Sequence, residues 1–166
     1  MRGNPLPLSG TQLYVGDTAP DFRLHQRAPE GLKDVTLENY SGHTLVLNTL
    51  FSIETPVCQA QARRFNEVVL ELPGDVDVLC VGMDLPYAQN RWSNDTGIHH
   101  VRFASDHRTG EFGQAYGVLI EPLRLLTRAV FVIGPNRQLR YVEYTDEITR
   151  EPDYESALTA AREPAD

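Results

Sequence analysis

The sequence predicts an α/β fold, a central mixed sheet flanked by helices, and three observations carry that prediction. "HTLVLNTLF" (43–51) and "VDVLCVGMD" (76–84) are near-continuous apolar runs, the pattern of parallel strands buried on both faces. Between them, positions 58, 62, 65, 69 and 72 (Cys, Ala, Phe, Val, Leu) recur at spacings of 4, 3, 4 and 3, which is one face of a helix. "RAVFVIGPNRQLRYVEY" (128–144) is two β-rich runs around a "GPN" turn, the pattern of a β-hairpin.

The remaining elements follow in order. Residues 1–16 place turn signals at "GNP" and "SG" between short apolar pieces, which predicts a small N-terminal β-hairpin. "GDTAPDF" (16–22) is a turn entering an extended stretch, and "VTLENYSG" (35–42) is a short strand and turn. The helix after residue 55 ends near "PG" at 73–74. "PYAQNRWSND" is helical, "VRFASD" (101–106) is a strand, and "TGEFGQAYG" (109–117) is a short helix stopped by glycine. "EPDYESALTAAR" (151–162) closes the chain as a helix with Pro152 near its start. No repeat or linker interrupts residues 1–166, which are read as one domain.

Composition bounds the function. The 166 residues carry a net charge of −8, with 15 Lys and Arg against 23 Asp and Glu. A generic binder of nucleic acid or of an anionic membrane needs the opposite balance. Two cysteines, Cys58 and Cys80, are too few for a disulfide framework. No stretch has the length of a membrane span, and the first residues lack the apolar run of a secretory signal, so a cytoplasmic location is expected.

The chemistry concentrates in "FSIETPVCQ" (51–59). Thr55 followed by Pro56 is a helix start, the threonine capping free backbone N–H groups and the proline taking the first helical position. Cys58 is then the third helical residue, just beyond the C-terminal end of a buried strand, where α/β sheets bind ligands. A free thiol has a pKa of ~8.5, and lowering it to ~6 takes roughly 3.4 kcal/mol. A helix N-terminus supplies ~0.3–1 kcal/mol, and up to ~2 in favourable geometry. An activated Cys58 therefore needs a second cation. Without one, Cys58 is a small buried hydrophobe on a core face.

"SIETPVCQAQARRFNE" (52–67), "DLPYAQNRW" (84–92), "FGQAYGV" (112–118), "TRAVFVI" (127–133), "DEITREPDYESAL" (146–158) and the opening "GNPLPLSG…VGDTAPDF" together resemble the atypical two-cysteine peroxiredoxins called thiol peroxidases. The resemblance runs in order over nearly the whole chain. It implies a thioredoxin-like fold with an N-terminal β-hairpin, a homodimer, and reduction of hydrogen peroxide and organic hydroperoxides without a metal or organic cofactor. It matches Cys58 to the peroxidatic cysteine, Thr55 to the active-site threonine and Arg128 to the active-site arginine, the cation that the magnitudes require. Read alone, Arg128 would be a surface residue at a strand edge. The implied step is attack of the Cys58 thiolate on one peroxide oxygen, leaving water or an alcohol and a sulfenic acid.

The chain departs from the family pattern at three positions. The resolving-cysteine position is Ser93, which cannot form a disulfide, whether by divergence or by deliberate replacement. Cys80, inside an apolar strand, is read as a structural thiol rather than its substitute. A thioredoxin-type protein, a small-molecule thiol or a second chain would then reduce the sulfenic acid. Phe51 stands where the family carries a proline, and Glu54 where it carries aspartate. These departures motivate an alternative reading, a catalytically weakened peroxide sensor or binding module on the same fold. A thioredoxin-type dithiol oxidoreductase does not fit, because Thr55 stands where the first cysteine of CxxC would be. His99, His100 and His107 lack metal-ligand spacing and are read as loop residues.

Overall fold

The computed structural model describes residues 3–164. In chain order its strands are β1 (Leu8–Ser9), β2 (Arg23–Ala28), β3 (Gly31–Thr36), β4 (Thr44–Thr49), β5 (Val76–Gly82), β6 (Arg102–Ser105), β7 (Leu119–Ile120), β8 (Leu125–Leu126), β9 (Ala129–Ile133) and β10 (Leu139–Tyr144). Its α-helices are α1 (Pro56–Val68), α2 (Pro86–Thr96), α3 (Glu111–Ala115) and α4 (Tyr154–Ala161). Seven strands form the central sheet in the order β10-β9-β4-β5-β6-β2-β3. It is mixed: β4 pairs parallel with β5 and antiparallel with β9.

Side chains alternate across each strand, so the sheet has two apolar faces. Val46, Val78, Val130 and Val132 form one face with Phe65 of α1, Trp92 of α2 and Leu158 of α4. Leu45, Leu47, Leu79, Val81 and Phe131 form the other, against Phe112 and Tyr116. All six residues of β4 are buried, as its apolar run predicts.

The N-terminal hairpin lies elsewhere than expected. β1 pairs antiparallel with β7, so the described part of 1–16 does not fold on itself; Met1 and Arg2 lie outside the described residues. The first hairpin is β2–β3, with Arg23 opposite Thr36. Its strands are rich in charged and polar residues, and β3 is a sheet edge with Lys33 and Asp34 exposed, so the apolar alternation of a strand is weak. The helix after Thr55 also ends earlier than its periodicity suggests. α1 stops at Val68 and Val69–Glu71 is a 3₁₀ turn, the tightening common at helix ends.

Candidate active site

The end of β4 runs into the turn 50–55 and then α1, which sets Cys58 against the sheet. Thr55 is extended (φ −100°, ψ 140°) and Pro56 begins the helix. Thr55 occupies the N-cap position, but its side chain does not cap. Its hydroxyl donates backward to the Ser52 carbonyl at 2.9 Å, which also takes the Thr55 N–H at 3.1 Å. The tight turn thus draws the hydroxyl away from the first helical turn. The capping expected from the sequence is absent for that reason.

The turn is pinned by Asp84, just after β5. Its carboxylate accepts from Ser52 Oγ at 2.8 Å and from the Ile53 N–H at 3.1 Å. Gln59 Nε2 donates to the Ile53 carbonyl at 2.9 Å, so the first turn of α1 holds the same loop from the other side. An exposed ion pair, Glu54–Arg91 at 3.6 Å, joins the turn to α2 and contributes little on its own.

Cys58 is 0% exposed and Arg128 only 1%. Arg128 Nη2 donates to Cys58 Sγ at 3.4 Å. The rest of the guanidinium is held by the Ile148 carbonyl, from Nη2 at 2.8 Å and Nε at 3.2 Å, and by Gln61 Oε1, which accepts from Nη1. Among the described residues no carboxylate lies within ion-pair distance of Arg128. The buried guanidinium is therefore satisfied by two oxygen acceptors and by the Cys58 sulfur. Arg128 is not the surface residue that its position alone suggested.

Gln61 was missed by the sequence reading. It lies one helical turn beyond Cys58 and is itself 0% exposed. Its position, three residues after Cys58, falls on the apolar face, and a polar residue there was the available signal. Gln61 Nε2 donates to Asn48 Oδ1, and Asn48 Nδ2 donates to Cys80 Sγ at 3.3 Å. Burial pushes the Cys80 thiol up to about 12. Phe51 is half-buried against the α1 face of the sheet.

Ser93 sits in α2, its hydroxyl donating to the Ile98 carbonyl. It borders a cleft of about 400 Å³ with Gln89, His99 and His100, and Cys58 does not line that cleft. His99 and His100 are exposed, and His107 packs edge-on against His25 at 5.6 Å. Among the described residues no three His, Cys, Asp or Glu side chains cluster as a metal site would require.

A redoxin family model matches residues 14–158. The chain belongs to the redoxin family. Curated relatives of this redoxin include the thiol peroxidase of Halalkalibacterium halodurans, 48% identical, with 97% of this chain and 95% of that protein covered. The thiol peroxidase of Bacillus subtilis is 44% identical, covering 97% and 94%. Among solved structures, a peroxiredoxin-like protein from Aquifex aeolicus superposes with a TM-score of 0.88 at 36% identity, covering 96% and 92%. A Chromobacterium violaceum thiol peroxidase has the same fold, with a TM-score of 0.81 at 23% identity over 93% and 89%. The redoxin therefore has the thioredoxin-like peroxiredoxin fold, with Cys58 and Arg128 meeting where β4 gives way to α1.

Proposed function

We propose that this redoxin is a thiol-dependent peroxidase that reduces hydrogen peroxide and organic hydroperoxides at Cys58, with Thr55 and Arg128 as its other catalytic residues. The observation that carries the assignment is the buried Arg128 guanidinium donating to the Cys58 sulfur at the start of a helix. The guanidinium and the helix end both place positive charge beside that sulfur.

Cys58 sulfur attacks the nearer peroxide oxygen. The S–O bond forms as the O–O bond breaks, sulfur is oxidised, and the leaving oxygen departs as water or alcohol once protonated. Arg128 donates toward the developing charge, and its planar fork can serve sulfur and oxygen together. Thr55 Oγ1–H donates to the Ser52 carbonyl, which leaves the lone pairs of its oxygen to accept from the peroxide O–H. Cys58 is fully shielded, so the surrounding chain must yield locally to admit substrate. A peroxide needs less room than a thiol reductant.

With serine at the family's resolving position, the sulfenic acid is reduced from outside. One thiol of a thioredoxin-type protein or a small molecule forms a mixed disulfide and releases water; a second thiol returns Cys58 to the reduced state. The reading includes a single domain over 1–166, a homodimer with contacts near the 84–93 segment and the Cys58 loop, and a cytoplasmic setting in which such reductants are held. No helix among the described residues is long and apolar enough to cross a membrane.

Stopped-flow peroxide consumption with excess dithiothreitol tests the proposal. Turnover far above that of a free thiol is expected. Turnover no faster than a free thiol would instead favour a peroxide sensor, a reading that the full shielding of Cys58 and the serine at 93 also support.

A further inference from the structure

We propose that Gln61, Asn48 and Cys80 form a directional relay that holds Arg128 against the Cys58 sulfur, making all three positioning residues for peroxide reduction. The inference rests on the proposed roles of Cys58 and Arg128.

The direction of the relay follows from hydrogen-bonding capacity. A guanidinium has donors only, so Gln61 must present its oxygen to Arg128. That turns Gln61 Nε2 toward Asn48, which must answer with Oδ1. Asn48 then points Nδ2 at position 80, where the residue has to accept, and Cys80 sulfur does so at 3.3 Å. Reversing either amide would set donor against donor. Asn48, Gln61, Cys58 and Cys80 are all 0% exposed and Arg128 is 1% exposed, leaving no solvent to absorb a reversal.

The elements explain how the relay is built. Asn48 and Cys80 are paired residues on neighbouring parallel strands, so their side chains stand side by side on the face that α1 covers. Gln61 comes down from α1 onto that pair, and Arg128 precedes β9, the other neighbour of β4. Two strands, the helix and the approach to a third strand thus fix one guanidinium. The burial that keeps the Cys80 thiol protonated also makes it a neutral acceptor, suited to ending the chain without adding a charge. An apolar residue at 80 would leave Asn48 Nδ2 buried and unpaired and remove the acceptor that fixes the far end of the chain.

Two reactions of Cys58 separate positioning from general loosening. The first is the stopped-flow rate with hydrogen peroxide, where Arg128 must face a developing oxygen charge. The second is alkylation by iodoacetamide, which has no such demand. Loss of one hydrogen bond of ordinary net strength corresponds to roughly a tenfold change. Gln61→Met, similar in length but unable to hold Arg128, should slow the peroxide reaction about tenfold and alkylation much less. Cys80→Val should slow the peroxide reaction in the same selective way, and Cys80→Ser, which keeps an acceptor, should restore it.

The relay is overturned if folded Gln61→Met keeps its peroxide rate within about twofold of the parent, if both reactions slow in parallel, or if Cys80→Ser is as slow as Cys80→Val. Should Gln61→Met fail to fold, the two Cys80 variants decide alone. Arg128→Met separates the two levels of failure. If it too leaves the peroxide rate intact, the role of Arg128 fails; if it slows the reaction and Gln61→Met does not, only the relay fails.

Discussion

Replacing Arg128 probes the balance between charge and geometry at the site. The guanidinium reaches three partners from three nitrogens: Cys58 Sγ, Gln61 Oε1 and the Ile148 carbonyl. Lysine keeps the charge but gathers its protons on one atom, so it cannot reproduce the fork. A hydrogen bond to a charged group is worth about 1.5–3 kcal/mol, or roughly 10- to 150-fold in rate if it acts fully in the transition state. Arg128→Lys should fall in that range. Arg128→Met removes the donor to the leaving oxygen as well, and the loss should approach ~10²–10³, as for removal of an oxyanion donor. Stability moves less than the bare contacts suggest. The methionine variant would leave Gln61 Oε1 and the Ile148 carbonyl short of a donor, at about 1–3 kcal/mol each, but would also remove the cost of burying a charge. The assay is kcat/KM for hydrogen peroxide at saturating dithiothreitol, with near-ultraviolet circular dichroism as the check on packing. A folded Arg128→Met within about threefold of the parent would refute the electrostatic argument, because a single charged hydrogen bond already predicts more. Arg128→Lys equal to the parent would refute the geometric argument alone.

Cys58→Ser should abolish peroxide turnover, while Cys80→Ser should retain it; the same consumption assay would show equal loss in both if Cys80 were a second reacting thiol. Asp84→Ala unpins Ser52 Oγ and the Ile53 N–H, and should lower unfolding stability by about 1–3 kcal/mol in urea together with the peroxide rate, whereas Asp84→Asn should recover part of both. Ser93→Cys should restore an internal route to the sulfenic acid, read by mass spectrometry as a loss of two hydrogens after one equivalent of peroxide and no free Cys58. Asp106 is buried behind the Phe112 and Gly113 N–H groups, and desolvation raises its pKa from 3.8 to about 6. The folded state holds that proton more tightly, so this contribution is full below the unfolded value near 3.8 and is lost as pH rises through about 6. The difference in urea stability between the parent and Asp106→Asn should therefore change by about 2 kcal/mol between pH 4 and pH 7, and a flat difference would contradict it.

The elements that were legible in the sequence are those whose burial is local in the chain. β4 and β5 are continuous apolar runs, α2 is framed by Pro86 and by Gly97 in the left-handed conformation, and β9–β10 flank a turn. The two-residue strands β7 and β8 are too short for any period, and β1 exists only because β7 lies beside it. At the site, the Cys58 helix start could be read directly, and Arg128 was named through the family resemblance. Asp84 could not be found, because its carboxylate meets Ile53 across 31 residues of sequence. Gln61 and Asn48 were hidden for another reason. Polar residues read as solvent-facing, and these two are buried because they satisfy each other, Arg128 and Cys80.

Peroxide reduction by this redoxin turns on which sulfur takes the oxygen. Treating the reduced protein with one equivalent of hydrogen peroxide in the presence of dimedone, then mapping the adduct by peptide mass spectrometry, answers that. The expected result is a dimedone adduct on Cys58, with Cys80 unmodified. An adduct on Cys80, or loss of peroxide without any adduct on Cys58, would contradict the assignment.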